Sequence, residues 1–455
     1  MITRATVVTA PIVPANVRPA SGELSRVLGG MLAVGICVVL AFAVMAFGSV
    51  EYWATCILQV ASATLLLIWA AGQWANGKFS IAWTPLFVPA LLLGVLIGFQ
   101  LLGHTAYWYA TWVKSIQWAC YATMFFVSTQ SFRGEGRAKL LGMFLVCFGS
   151  LVALIAIAQG GTESDKVFWL FPTDTHSVLY GPYPNHAHYA GLMEMLLPMA
   201  LVLGLGFLFR THAKVLLLFA ALIMAGSIFL AASFGGILSF VGELLVLAIL
   251  LLRHRRRHRA LLSILVLVLL LSILVVMLQP AALQERLEHA RTQAEQSDVT
   301  SRVAIVRDSV PMIWQRPLLG YGLGNFVEVF PSFRTFYTDL LINAAHNDYV
   351  QAVVEIGLVG FALIGWLIFL LYRDGLRKIR SWEHDYESSV TLAALVGCSG
   401  ILIHSFCDFN LQVPANAALF AVLAGAAVTK RSDRGGAARQ GATAFLPFDY
   451  VRELR

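Results

Sequence analysis

Long apolar runs alternate with short polar connections over most of the chain. A membrane-spanning helix needs roughly 20 mostly apolar residues. These runs are continuously apolar rather than alternating, which favours helices over the strands of a membrane barrel. The predicted spans are residues 28–48, 52–72, 84–102, 112–131, 139–159, 187–209, 213–232, 235–252, 260–279, 349–371, 389–407 and 413–429. The pattern predicts an all-α polytopic membrane protein of about twelve transmembrane helices.

The composition supports this fold class. The chain has 455 residues, of which 58% are hydrophobic and 13% are charged. Soluble domains carry roughly a quarter charged residues, so this chain lacks the charge to cover a water-facing surface. Residues 1–23 contain three prolines and no apolar run with a cleavage site, which argues against a secretory signal. The first apolar run is therefore expected to stay in the membrane.

Lysine and arginine predict the orientation of the spans. With the N-terminus inside, 24 of the 32 basic residues fall on the inner side and eight on the outer side. The strongest inner marker is the basic run at 253–259, with five arginines. Basic loops stay in the cytoplasm, so we interpret this run as a topological signal and not as a nucleic-acid site.

The spans and charges divide the chain into five segments. They are a cytoplasmic tail at 1–27, transmembrane helices 1–9 at 28–279, a large periplasmic loop at 280–348, transmembrane helices 10–12 at 349–429, and a cytoplasmic tail at 430–455. The large loop opens with a polar helix at 284–295, and a second helix is predicted from Val299 to Gln315. Pro317 and a glycine-rich stretch end the second helix.

Polar residues collect at the predicted outer ends of the spans. His346-Asn347-Asp348 precedes the tenth span, and Gln351 and Glu355 continue one face of that helix inward. The sixth span opens with Asn185, His186 and His188, followed by Glu194. His404 and Asp408 end the eleventh span, and Glu243 lies within the eighth. Polar groups inside membrane helices mark cavities or sites, although mutual pairing explains such residues equally well.

Two features of the large loop suggest binding of an anion. Arg302, Arg307 and Arg316 lie on or after its second helix, and a guanidinium matches phosphate oxygens bidentately. The other feature is the stretch Gly320–Asn325, with Gly322 and Gly324. No βαβ unit surrounds it, which argues against a nucleotide site. A tight re-entry turn and a backbone cradle for a lipid pyrophosphate remain as alternatives.

These motifs together resemble the O-antigen ligase and O-antigen polymerase superfamily. The stretches that carry the resemblance are Thr300-Ser301-Arg302 through Trp314, Arg316-Pro317-Leu318-Leu319-Gly320-Tyr321-Gly322-Leu323-Gly324-Asn325-Phe326, Ala345-His346-Asn347-Asp348-Tyr349, and Glu355-Ile356-Gly357-Leu358-Val359-Gly360. The motifs cover roughly residues 180–370, and their order and spacing are more specific than any single piece.

The resemblance implies a bacterial inner-membrane glycosyltransferase with both termini cytoplasmic and a fold related to lipid-dependent glycosyltransferases. Such enzymes transfer a glycan from undecaprenyl pyrophosphate at the periplasmic face, with no metal or nucleotide cofactor. By resemblance, Arg302 binds the pyrophosphate and His346 assists the attacking hydroxyl. The substrate-binding candidates are Asn347, His188, Asn185, Glu194, Arg307, Arg316, Gly322 and Gly324.

The sequence departs from the family pattern at two places. Many members carry Ser-Arg-Gly where this chain has Ser233-Phe234-Gly235, and Asn-Arg-Asn-His where it has Asn185-His186-Ala187-His188. Both departures remove positive charge from the expected diphosphate site. Arg307, Arg316, Lys166 or His186 are the candidates to replace it.

Several functions remain open at this stage. The leading hypothesis is an O-antigen ligase with lipid A-core as acceptor. The alternatives within the superfamily are a repeat-unit polymerase and a protein O-oligosaccharyltransferase. A lipid-linked glycan transporter is the alternative from another class, and a non-catalytic homologue that kept the fold is a further alternative. Transporters place polar groups near the bilayer midplane in repeated halves, whereas here the polar groups cluster at the outer ends.

Topology is directly testable in a variant without the six native cysteines. Arg256→Cys is expected to be protected from an impermeant thiol reagent in intact cells, because the basic run is cytoplasmic. Thr292→Cys is expected to react, because it lies in the periplasmic loop. Labelling of position 256, or protection of position 292, would contradict the assigned orientation.

Overall fold

The computed structural model describes residues 20–77, 79–162, 166–172, 180–252, 299–338 and 341–429. The helices are α1 (Ala20–Met45), α2 (Tyr52–Asn76), α3 (Phe87–Leu101), α4 (Trp108–Ser131), α5 (Glu135–Gly160), α6 (His186–Leu205), α7 (Thr211–Leu230), α8 (Phe234–Leu252), α9 (Val299–Gln315), α10 (Phe326–Val329), α11 (Asp348–Leu376), α12 (Tyr386–His404) and α13 (Pro414–Val428). Short 3₁₀ turns cover Phe47–Ser49, Phe330–Ser332, Ile379–Ser381 and Asn410–Gln412. Strands β1 (Lys166–Val167) and β2 (Phe171–Pro172) pair antiparallel.

The helices agree closely with the predicted spans. Within the described residues, eight helices are long and apolar enough to cross a membrane: α1, α2, α5, α6, α7, α8, α11 and α12. Three further predicted spans coincide with α4 and with the shorter apolar helices α3 and α13. The predicted all-α polytopic fold is confirmed, and the second loop helix lies at Val299–Gln315 as expected. The predictions for 253–298, including the span at 260–279, lie outside the described residues, as do those for most of both tails.

Helices α6 and α12 lie at the centre of the bundle. In the apolar stretch of each helix, 94% is buried inside the protein in α6 and 83% in α12. Their close approach requires glycine: a Cβ on Gly397 of α12 would lie 2.9 Å from the carbonyl oxygen of Met195 in α6. Small residues let membrane helices pack closely where water supplies no driving force.

Asparagine side chains fix the starts of two central helices. Asn185 accepts a hydrogen bond from the Ala187 amide at 2.8 Å and caps α6. Asn347 accepts from the amides of Tyr349 and Val350, at 3.0 Å each, and caps α11. Such caps satisfy amides that have no partner inside the helix.

Helices α6, α11 and α13 begin at the end of the bundle where α12 ends. We call this end of the bundle the site end.

Helix α11 is broken at Gly357, which adopts φ 66° and ψ −177°. This conformation is essentially restricted to glycine. The break exposes backbone groups that a continuous helix would pair internally. Residues 317–322 run alongside and pair with them: the Leu358 amide donates to Pro317 O at 2.8 Å, and the Gly322 amide donates to Glu355 O at 2.9 Å. The glycine-rich stretch is thereby joined to a membrane helix.

Gly357→Ala is expected to destabilise the protein strongly. An added Cβ would lie 2.2 Å from Leu318 O and would occupy a backbone region closed to alanine. Gly365→Ala is the control in the same helix, because its Cβ would meet open space and alanine favours a helix by up to about 1 kcal/mol. Thermal unfolding in detergent measures both variants, and equal melting temperatures would contradict a structural need for the break.

Candidate active site

The loop between α12 and α13, residues 405–413, carries the carboxylate around which the site is arranged. The Asp408 side chain is buried, with 1% of its surface exposed. Its backbone is held by His404, whose carbonyl accepts from the amides of Cys407 and Asp408 at 2.8 and 3.1 Å. Asp408 Oδ1 also accepts from the Phe409 amide at 2.9 Å. The loop therefore presents a fixed acceptor at the site end.

The start of α11 is hydrogen bonded to the same loop. Asp348 Oδ2 accepts from the Ser405 hydroxyl at 2.9 Å and from the Leu411 amide at 3.1 Å. The Asp348 amide donates to Ser405 O at 3.0 Å, and Asn347 Nδ2 donates to Phe406 O at 3.0 Å. These bonds fix the position of the residue that precedes them, His346.

His346 places its imidazole against Asp408. His346 Nδ1 lies 3.4 Å from Asp408 Oδ1, and about a quarter of the histidine side chain is exposed. The backbone of His346 has φ 48°, in the left-handed region that non-glycine residues seldom adopt. Strained backbone of this kind concentrates at functional sites. The ring nitrogen on the far side, Nε2, points away from the carboxylate.

Arg302 reaches the same loop from α9. Its Nη1 donates to Cys407 O at 2.8 Å and lies 3.8 Å from Asp408 Oδ2. Asp408 therefore lies between the arginine and the histidine, with one carboxylate oxygen turned to each. Residues distant in the sequence are brought to one carboxylate by the packing of α9, α11 and the α12–α13 loop.

His188 lies deeper, behind the ring of Phe409. Its ring and the ring of His346 contact Phe409 edge-on, with centroids 4.7 and 4.9 Å away. His188 is buried, and its Nδ1 lies 3.2 Å from Asn410 Oδ1. The structure thus separates His188 from His346 by one aromatic ring.

The charge state of Asp408 follows from these neighbours. Burial by itself raises the pKa of a carboxyl group. The contact with His346 and the electrostatic effects of His188 and Arg302 outweigh burial and hold the pKa of Asp408 well below its usual range. The site therefore contains a buried carboxylate that is ionised at neutral pH.

Glu194 lies beneath the site. Its carboxylate lies 2.9 Å from His404 Nδ1, and both side chains are buried between α6 and α12. His404 is followed after one turn by Asp408, whose amide bonds to the His404 carbonyl. Glu194 therefore supports the loop that carries Asp408 through a buried contact.

Three residues that the sequence predicts to bind substrate make their contacts away from Asp408. The Asn185 side-chain oxygen is used in capping α6. Arg307 contacts Asp308 at 3.0 Å and Thr335 at 2.7 Å, within its own loop. The Arg316 guanidinium stacks over the Tyr321 ring, 4.9 Å from its centroid. These contacts favour structural roles for all three side chains.

The glycine-rich stretch is packed into the helix bundle. The amides of Gly322 and Gly324 donate to the backbone and side chain of Glu355, both at 2.9 Å, and the Leu323 amide donates to Gln100 Oε1 at 3.1 Å. Asn325 bonds to Thr105 and Thr111 as well. Because these amides already have partners, the geometry favours the re-entry turn over a cradle for phosphate.

Position 234 lies beside the site, where the family pattern has an arginine. Phe234 is 80% exposed at the start of α8. A Cβ on the next residue, Gly235, would lie 2.7 Å from His404 Nε2 and 3.4 Å from Cys407 Cβ. Of the proposed substitutes for that arginine, His186 has its Nδ1 2.6 Å from Ala231 O, and Lys166 lies in β1.

Comparison with known proteins supports the resemblance drawn from the motifs. Residues 219–365 match the O-antigen ligase family. The matched segment contains Arg302 and His346 and ends within α11. The expected resemblance to the O-antigen ligase superfamily is confirmed.

A curated relative of the chain is the exopolysaccharide production protein ExoQ of Rhizobium meliloti (strain 1021). The two are 24% identical over 131 residues, which are 27% of this chain and 29% of ExoQ. The chain therefore aligns with less than one third of that relative.

Asp408 is the residue that sequence reasoning passed over. The sequence showed it as the second member of a pair, His404 and Asp408, four residues apart at the end of a span. The sequence assigned it no role of its own. The structure turns His404 toward Glu194 and Asp408 toward Arg302 and His346.

Asp408→Asn is expected to lower the stability of the protein at pH 7 by about 1–3 kcal/mol, because it removes a charged acceptor. The pKa of Asp408 is lower in the folded protein than in the unfolded chain, where it is about 3.9. Its carboxylate therefore adds to the free energy of unfolding at pH values above about 3.9. The difference from wild type should therefore be constant from about pH 5 to 8 and shrink below about pH 4. Melting temperatures in detergent at several pH values measure it.

The matched control for this charge removal is Asp374→Asn. Asp374 pairs with Arg373 at 2.8 Å at the other end of α11, where the pair is partly exposed. A surface pair contributes up to about 1 kcal/mol. An Asp408→Asn protein as stable as wild type at pH 7 would show that the buried carboxylate does not hold the loop together.

Proposed function

We propose that the protein transfers a glycan from a lipid-linked pyrophosphate donor to an acceptor hydroxyl at the site end of the bundle, which we assign to the periplasmic face of the bacterial inner membrane. The observation that carries this proposal is the contact of both Arg302 and His346 with the buried carboxylate of Asp408. Displacement of the pyrophosphate needs a cation to stabilise the leaving group and a base to take the proton of the hydroxyl. Here the guanidinium and the imidazole are held beside each other. The family match over residues 219–365 supports the same reaction type.

His346 is the proposed general base. With Nδ1 protonated and directed to Asp408, Nε2 carries a lone pair and accepts the proton of the acceptor hydroxyl. The hydroxyl oxygen then forms a bond to the anomeric carbon as the bond from that carbon to the pyrophosphate oxygen breaks. Asp408 stabilises the imidazolium that results. The 3.4 Å contact is long for a hydrogen bond, and such contacts tighten when substrate binds.

Arg302 is the proposed partner of the leaving pyrophosphate. Negative charge grows on the leaving oxygen as the bond breaks, so a preorganised cation stabilises the transition state more than the ground state. The contacts with Cys407 O and Asp408 fix the guanidinium before the donor arrives. Arginine suits this role because its planar fork can bind two phosphate oxygens at once.

The acceptor separates two versions of this function. Our first choice is the ligase, with lipid A-core as acceptor. The second is a repeat-unit polymerase, which is favoured by the similarity to a protein named for exopolysaccharide production. The two are distinguished by the surface glycan of a deletion strain: loss of all capped core indicates a ligase, whereas core capped with single repeats indicates a polymerase.

Arg302 variants test the proposed chemistry. Arg302→Ala is expected to lose essentially all transfer, and Arg302→Lys most of it, because lysine keeps the charge without the bidentate fork. Removing one such stabiliser costs about 10²–10³ in rate. The measurement is glycan transfer from purified donor to acceptor, with thermal unfolding checked for each variant. Arg334→Ala, on the same loop, is the control and should transfer normally.

His346 and Phe234 variants extend this test in the same transfer assay. His346→Ala is expected to lose about 10²–10⁴ in rate, while His346→Gln keeps more if orientation of the hydroxyl dominates over proton removal. Phe234→Arg should be tolerated, because the side chain is exposed, and should tighten donor binding.

One result would contradict the proposed mechanism as a whole. Near-normal transfer by a folded Arg302→Ala protein would remove its central residue.

A further inference from the structure

Helix α9 carries a row of apolar side chains on the side turned away from the rest of the protein. Val303, Val310 and Trp314 are separated by seven and four residues, which places them on one side of the helix. They are 63%, 43% and 77% exposed, and Leu318, shortly after the end of the helix, is 63% exposed. We call these four residues the α9 stripe.

The opposite side of α9 is already packed against the protein. Ile305 and Met312 are buried in a cluster with Tyr321, Phe326 and Phe330. This cluster holds the helix in place from its inner side. Four large apolar side chains along the outer side of one helix mark a surface that meets an apolar partner.

The break in α11 at Gly357 marks the level of the lipid surface. None of residues 348–357 is exposed, whereas Leu358 and Val359 are 48% and 42% exposed. The segment after the break, 358–376, has as many residues as α12, which has 19. Such a helix is about 28 Å long at 1.5 Å per residue, close to the hydrocarbon thickness of about 30 Å. The part of α11 that crosses the membrane therefore begins at the break.

The α9 stripe is continuous with the lipid-facing surface of α11. Leu318 O accepts a hydrogen bond from the Val359 amide at 3.2 Å, and Pro317 O accepts from the Leu358 amide at 2.8 Å. Leu318 therefore lies beside the first lipid-facing residues of α11, and Trp314 precedes it by four residues. Tryptophan is enriched at the boundary between lipid and water, where its ring is in apolar surroundings and its N–H reaches polar groups.

We propose that the α9 stripe lies in the membrane leaflet at the site end of the bundle, with its side chains at the boundary between headgroups and acyl chains. The partner is a phospholipid surface, because the stripe extends a surface of α11 that already faces lipid. The segment before α11 is then seated in the membrane surface along one side. Assigning this leaflet to the periplasmic side rests on the proposed function, whereas the contact with lipid does not.

Two arginines of α9 agree with this partner. Arg307 lies on the same side of the helix as the stripe and bonds to Asp308 and Thr335. Helices that lie in the membrane surface commonly combine arginine with tryptophan and aliphatic residues, because the arginine stem covers apolar surface while its charge stays near the headgroups. Arg302 directly precedes Val303, so a seated helix also holds Arg302 at the depth of the headgroups.

Spin labels can locate the α9 stripe in the intact protein. Single cysteines are placed in a full-length variant without the native cysteines, and each is labelled with a nitroxide in phospholipid nanodiscs. Each label is expected to collide more often with oxygen, which concentrates in lipid, than with a water-soluble nickel chelate. The substitutions are Val303→Cys, Val310→Cys, Trp314→Cys and Leu318→Cys.

Two further positions serve as references for these labels. Phe369→Cys is the lipid-facing reference, because Phe369 is 62% exposed on the membrane-crossing part of α11. Ser332→Cys is the water-facing reference, because Ser332 is exposed in the turn that begins with Phe330, on the packed side of α9. Stripe labels that behave like the label at 332 would refute the lipid contact. Labels shielded from both reagents would show that another part of the chain covers the stripe, which also refutes it.

Tryptophan fluorescence tests the same contact without cysteine substitution. In nanodiscs of brominated phosphatidylcholine, the wild type is expected to show a quenched component that Trp314→Phe lacks. Bromines near the headgroup should quench this component more than bromines near the end of the acyl chain. Trp382→Phe is the control: Trp382 is 2% exposed, so its removal should leave the quenched component unchanged. Equal quenching of the wild type and Trp314→Phe would refute lipid contact at this position.

The tests of this inference and of the proposed function have separate readouts. Lipid-exposed stripe labels together with normal transfer by Arg302→Ala would keep the membrane contact and refute the transfer mechanism. Water-exposed stripe labels together with loss of transfer in Arg302→Ala would keep the mechanism and refute the membrane contact.

Discussion

Backbone polar groups in a membrane must be paired inside the protein, and this constraint shapes the site end of the bundle. Helix α11 breaks at Gly357, and the chain at 317–322 supplies the partners that the break leaves open. The start of the same helix is paired with the α12–α13 loop through Asp348 and Ser405. Irregular backbone is tolerated at both places because it is enclosed by protein.

This pairing explains why the catalytic candidates can be held so firmly. Arg302 is carried by α9, which leads directly into the segment joined to α11. His346 precedes the cap of α11, which is bonded to the α12–α13 loop. Arg302 and His346 are therefore both held by segments that are hydrogen bonded to α11 or to the loop that carries Asp408. The buried carboxylate is tolerated because a cation and an imidazole lie on either side of it.

The local sequence pattern was enough to predict the helices. It was much less informative about which distant segments those helices contact. Apolar run length located the spans, and proline and glycine marked the end of α9 at Gln315. The pairing of Gln100 with Leu319 and Glu355 joins parts of the chain more than 200 residues apart. No local periodicity carries that information, so the sequence left the role of the glycine-rich turn open.

The same limit explains which site residues sequence reasoning found. Arg302 and His346 stand in motifs with a recognisable order, so their roles were inferred by resemblance. Asp408 stands in a short loop after a span, and nothing in the local sequence shows that the fold places a guanidinium and an imidazole beside it.

The net charge of the site depends on contributions from several helices. In the proposed mechanism an aspartate at 408 offsets part of the positive charge that a pyrophosphate needs, and Phe234 stands where many members of the resembled family carry arginine. Because His346 is assigned to the acceptor hydroxyl, Arg302 has to supply most of that positive charge. Its contacts with Cys407 O and Asp408 hold this cation in place before the donor binds.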